Sequence, residues 1–123
     1  AKIAAVVSRE NILMITAENR VLGFDHAEIG KLLAEKWNLP IKLEQIIAHH
    51  HRPNFAGSFI IEASIVHLAD IFCRALNMGF GGDNKIPPLD KLAWESLRIK
   101  TDALESIMAT MQSEYRDIST FLA

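Results

Sequence analysis

The sequence predicts an all-α fold, a bundle of about six helices, on three observations. Apolar residues recur mostly at three- and four-residue spacing. No Asn-Gly or Asp-Gly dipeptide marks a hairpin, and no apolar/polar alternation is sustained. The six glycines and four prolines are sparse and clustered, so they divide the chain into helix-sized pieces joined by short connections.

A first helix is expected over about residues 2–21, carrying Ile3, Val6, Val7, Leu13, Met14, Ala17 and Val21, with Gly23 in a left-handed cap. Glu18 is polar on this mostly apolar face, either solvated or an ion-pair partner. Asp25 and Glu28 form an Asp-x-x-Glu variant of the capping box ahead of the stripe Ile29, Leu32, Leu33 and Trp37. Pro40 ends that helix and suits the first position of a third, which runs to about His50. A fourth, over about residues 57–78, has few charges and should be central. On a wheel of about 100° per residue, Ala63, Val66, His67, Cys73 and Arg74 lie within about 60° of Asp70, with Ile65, Leu68 and Phe72 opposite. Both sides are largely apolar, as in a helix covered most of the way round. Residues 79–84, Gly-Phe-Gly-Gly-Asp-Asn, read as a flexible turn, since no phosphate-binding glycine pattern surrounds them. A short helix follows at about 89–97. Thr101 caps a last one, whose stripe is Leu104, Ile107, Met108, Met111, Tyr115, Ile118 and Leu122. That stripe suits a packing face or a partner helix. Trp37 and Trp94 read as core anchors.

The chain is 123 residues long with a formal net charge of −2, the size of one domain. No basic surplus points to nucleic acid, and no polybasic block points to a membrane surface. Apolar runs stay far below the roughly 20 residues of a bilayer span. Cys73 is the single cysteine, so no internal disulfide is needed. With no signal-peptide layout at its start, the chain is expected to be cytoplasmic.

Chemistry concentrates in five histidines, His26, His49, His50, His51 and His67, together with Asp70. A carboxylate in the middle of an apolar helix is costly to bury unless it meets a cation, a metal or donors. His67 and Arg74 stand one turn before and after it, and the His-rich loop can reach it through space. Imidazole with carboxylate suits divalent zinc, iron, nickel or manganese.

The string Glu18-Asn-Arg-Val-Leu-Gly-Phe-Asp-His26-Ala-Glu-Ile-Gly30, with Trp37-Asn-Leu-Pro40 after it, resembles the HD-related output domain (HDOD) family. Ile47-Ala-His-His50-His51-Arg-Pro53, Ile65-Val-His-Leu-Ala69-Asp70 and the loop at 79–84 resemble it too, so that the likeness covers about residues 18–100. It implies an HD-domain-like helical bundle in a bacterial signalling setting, often beside a receiver or sensor domain. The wider superfamily consists of metal-dependent phosphohydrolases. By motif, the ligands carried over are His26, His50, His51 and Asp70. His67, Arg74 and Glu18 are candidates to stand behind them, and His49 has no role to inherit.

Two signatures are missing. The only Asp/His neighbours are Asp25-His26, in reverse of the superfamily's His-Asp pair, and Arg52-Pro53-Asn54-Phe55 stands where cyclic-dinucleotide phosphodiesterases carry Gly-Tyr-Pro. The chain is therefore expected to be a single HDOD-like domain lacking the upstream His-Asp half, with no catalytic residue of its own. It would act as a non-catalytic regulatory module through protein or ligand contacts. The alternatives are a phosphohydrolase whose remaining ligands lie outside the chain, and a metal- or nucleotide-binding domain without turnover. Expected partners are signalling proteins and, through apolar faces left uncovered, a second copy of the chain.

Overall fold

The computed structural model describes residues 2–122. Its helices are α1 (Lys2–Glu10), α2 (Met14–Leu22), α3 (His26–Lys36), α4 (Ile41–His49), α5 (Ile60–Ala75), α6 (Lys91–Leu97) and α7 (Ala103–Leu122). Two single 3₁₀ turns, Pro53–Phe55 and Gly57–Phe59, lead into α5. No strand occurs among the described residues, so the all-α expectation holds.

The expected first helix is two. Asn11 adopts a left-handed φ of 50° and Leu13 is extended, which breaks the chain between α1 and α2. The new N-terminus is capped from far along the sequence: the Met14 N–H donates to Asp83 Oδ2 at 2.7 Å. α1 folds back on α2 as a helical hairpin.

The start of α3 follows the predicted chemistry. Gly23 is left-handed at φ 81° and its N–H donates to the Asn19 carbonyl. Asp25 then accepts from Ala27 and Glu28 N–H while Glu28 returns a bond from the Asp25 N–H, completing the capping box. Asn38, at φ 52°, ends α3, and Pro40 stands at the N-cap of α4 rather than inside it.

α5 is the central helix, packed against α4, α6 and the first 3₁₀ turn. It begins at Ile60, later than expected, because residues 57–59 wind as a 3₁₀ turn after the left-handed Gly57. The core is built largely from small side chains, Ala17, Ala27, Ala34, Ala56, Ala63 and Ala93, with Val7, Leu68 and Ile71. Small residues let helix axes approach closely but remove less apolar surface from water than branched ones.

Larger side chains stay outside. Trp37, expected as a core anchor, is 65% exposed, because it follows the last turn of α3 at the helix's open end. α5 is not covered all round either: Ile65 is 54% exposed on the side where α7 passes, and α7 buries none of its own residues. No helix is long and apolar enough to cross a membrane among the described residues.

Candidate metal centre

Three imidazoles converge where the N-terminus of α3 meets the C-terminus of α4. His26 is the first residue of α3, and His50 and His51 follow α4 directly. One ring nitrogen from each of the three lies within 4.8 Å of the others. The His50 and His51 rings are 4.0 Å apart, and His26 meets His51 edge-on at 4.8 Å.

Two of the three rings are held from behind. The Nδ1 of His26 donates to Glu18 Oε2 at 2.7 Å, and the same oxygen accepts the His26 backbone N–H at 3.1 Å. The Nδ1 of His50 donates to the Ile47 carbonyl at 2.8 Å. An oxygen acceptor on Nδ1 leaves the lone pair on Nε2, the arrangement by which metal-ligating histidines are oriented. Glu18, ambiguous in the sequence, is thus a half-buried carboxylate of α2 that aims the ring of α3.

His26 Nε2 and His51 Nε2 stand 2.8 Å apart, close enough to share one proton in a hydrogen bond. Burial pushes His51 down to about 3, assisted by the neighbouring His50 and His26 rings. Burial also lowers His50, against the opposing effect of its bond to the Ile47 carbonyl. His49 is lowered by burial and by Lys31, and its ring faces Phe55 at 6.4 Å rather than the cluster.

The donor set fits a divalent ion that accepts nitrogen ligands. Zinc–nitrogen bonds of about 2.0–2.1 Å in tetrahedral geometry need ring nitrogens roughly 3.3 Å apart, so the His26–His51 contact would open by about half an ångström. Among the described residues, no carboxylate joins the three rings as a further ligand. Asp25, adjacent to His26, is spent on the helix: its Oδ1 accepts from Ala27 and Glu28 N–H, and its Oδ2 from Asn19 Nδ2 at 3.1 Å. Burial raises the Asp25 carboxyl, but these donors outweigh it and hold the group below its ordinary range.

Asp70 lies outside the cluster. The expectation that it is sunk among apolar neighbours is corrected: its side chain is 35% exposed, with Arg74 Nε 3.8 Å from Oδ1. The α5 surface around it is left open, which spares the carboxylate a buried position.

Arg74 turns mainly to Asp83. Its Nη1 and Nη2 donate to Oδ1 and Oδ2 of that carboxylate at 3.2 and 3.3 Å. The Asp83 side chain is 1% exposed and also accepts the Met14 and Lys85 N–H groups. The loop at 79–84 is therefore a clamp between α5 and α2, contrary to its reading as a flexible turn. A Cβ on Gly81 would stand 2.6 Å from the Arg74 guanidinium, and one on Gly82 would stand 2.0 Å from Met14 Cε. The glycines let the loop come this close. The one sequence signal for the clamp was Asp83 two residues before the Lys85 N–H, the spacing of an Asx-turn.

His67, 3% exposed, serves the frame. Its Nδ1 donates to the His50 carbonyl at 2.8 Å, and its Nε2 accepts the Asp90 N–H at 3.0 Å. It ties the loop carrying His50 and His51 to the cap of α6, where Asp90 accepts the Ala93 N–H. Two clefts flank His51 and Arg52. One of about 290 Å³ reaches Asn19, Glu28 and His49. The other, of about 180 Å³, reaches Thr16, His67 and Pro88. Asn19, not singled out from the sequence, borders both while fixing Asp25.

Fold and site together define an all-helical bundle that gathers three imidazoles, two of them oriented by hydrogen bonds, at a helix junction. Residues 1–53, the segment carrying Glu18, His26, His50 and His51, match the family model of the HDOD domain. No curated protein and no solved structure matches the chain.

Proposed function

We propose that the chain is a regulatory module of the HDOD type, bacterial and cytoplasmic in setting, which acts by binding a ligand or a signalling protein and does not hydrolyse phosphoesters. The observation that carries this reading is the composition of the cluster. Three imidazoles lie together, while two neighbouring carboxylates, Asp25 and Glu18, are committed to capping α3 and orienting His26. Two-metal phosphoester cleavage needs a group that bridges the ions, and no carboxylate of the cluster is free to do so.

A divalent ion, iron, manganese, nickel or zinc, would sit on His26, His50 and His51, where it would supply positive charge to an anionic ligand in the flanking clefts. Asp70, whose charge acts on His50, would be a further ligand for such an ion. Arg52 is exposed beside His51, with no carboxylate within 4.0 Å among the described residues, and adds a second positive group there.

The second reading is a metal-dependent phosphohydrolase whose further ligands lie outside this chain. It is favoured by the bonds behind His26 and His50, which orient rings for metal. The test is calorimetric titration of the chain with Zn²⁺ and Mn²⁺, followed by assay of the loaded protein on bis(p-nitrophenyl) phosphate. Binding of one ion per chain, lost in His51→Ala and without turnover, supports the regulatory reading. Turnover abolished by His51→Ala overturns it.

A further inference from the structure

We infer that α7 is a self-association helix, and that two copies of this chain pair their α7 helices antiparallel, each covering an apolar groove on the other. Leu104, Met108, Met111, Tyr115, Ile118 and Leu122 follow one another at spacings of four, three, four, three and four. These are the a and d positions of a coiled-coil seam, widened on one flank by Ile107 and Phe121. None of these residues is fully buried in its own chain: Leu104, Met108 and Met111 are half-buried, and Tyr115, Ile118 and Leu122 are exposed.

The helix has two unlike halves. The first lies beside α5, where Ile65, Leu68, Phe72, Leu97, Ile107 and Met111 line an apolar groove of about 180 Å³. In the second, Tyr115, Ile118, Phe121 and Leu122 are 42%, 57%, 88% and 76% exposed. One half offers an unfilled groove, and the other ends in the exposed side chains of Ile118, Phe121 and Leu122.

The seam matches itself in the antiparallel sense. Aligning Met111 with Tyr115 of the second copy also aligns Met108 with Ile118 and Leu104 with Leu122, all six positions meeting in a-to-d pairs. Along one flank Ile107 then meets Phe121 of the second copy, and along the other Gln112 meets its own equivalent. Glu114 meets Glu114 near the two-fold axis, a like-charge contact that weakens the pair without blocking it. Such a contact is closed and isologous, so it ends at a dimer.

Size argues for the groove as part of the interface. A helix of 20 residues is about 30 Å long. One stripe along it falls short of the roughly 800 Å² per partner of a stable interface. Antiparallel pairing adds α5, because it lays the exposed half of each α7 over the groove of the other copy.

The experiment is sedimentation velocity of the full chain over a concentration series, beside Ile118→Asp and Phe121→Asp. Both residues are exposed, so each variant should keep the parent's circular dichroism and melting profile. A monomer–dimer equilibrium is expected, with a dissociation constant raised more than about tenfold in either variant. A parent that stays monomeric, or a dimer untouched by both substitutions, overturns the inference. Orientation is read in a Cys73→Ser background by mixing Met108→Cys with Ile118→Cys protein under oxidation. The mixed disulfide should dominate. Dominance of the Ile118→Cys homodimer would mean parallel pairing and would overturn the antiparallel assignment.

Discussion

Replacing Asp83 with alanine should destabilise the chain more than any other single change to its loops. The carboxylate has 1% side-chain exposure and receives the Met14 N–H at 2.7 Å, the Lys85 N–H at 2.8 Å and two guanidinium contacts from Arg74. Removing it leaves Arg74, itself only 14% exposed, without its main counter-charge. Breaking a buried pair from one side costs about 3–5 kcal/mol. Loss of the cap on α2 acts on the same group and is not added in full, though caps alone contribute about 1 kcal/mol. Asp83→Asn keeps an oxygen for Met14 and should cost less, roughly 1–3 kcal/mol. Urea unfolding followed by far-ultraviolet circular dichroism at pH 7 gives both numbers from the midpoint shift at constant slope. An alanine variant within about 1 kcal/mol of the parent would refute the clamp.

Glu18→Gln should lower affinity for Zn²⁺ by about 10–100-fold while leaving stoichiometry unchanged, since it weakens the group that aims His26 without removing a ligand; isothermal titration calorimetry measures this. Gly82→Ala should cost at least about 1–3 kcal/mol in urea unfolding, because the new Cβ meets Met14 and the backbone sits at φ 93°. Stability should fall with acid in two stages, followed as urea midpoints against pH. His50 and His51 have folded pKa values below the unfolded value, so the unfolded state binds more protons and stability declines from about pH 6.5 toward pH 3. Asp25 and Asp83 are also depressed, so their contribution is whole above their unfolded values near 4 and is lost as pH falls through the folded ones.

Local signals carried much of the fold. Gly23 and the Asp25/Glu28 box act within a few residues of themselves, and the structure has both as the sequence predicts. What failed depended on distance along the chain. The break after Glu10 needs a cap from Asp83, 69 residues from Met14, so periodicity alone ran α1 and α2 together. Trp37 was misread because apolar character says what a residue can bury, not whether a neighbour arrives to bury it. Within the site, His26, His50 and His51 were legible as a set through family resemblance, and the structure brings their rings together. The environment of Asp70 was not legible, since a helical wheel gives direction but not which sides are covered. His67 was named for its closeness to Asp70, whereas its two bonds go to the His50 carbonyl and the Asp90 N–H.

The imidazole cluster is tested most directly by long-range ¹H–¹⁵N correlation spectra of the histidine rings across a pH titration. His50 should hold its hydrogen on Nδ1, and His51 should remain neutral until the pH nears about 3. A His51 ring that takes up a proton close to pH 6.5, as a solvated imidazole does, would contradict the enclosed three-ring site.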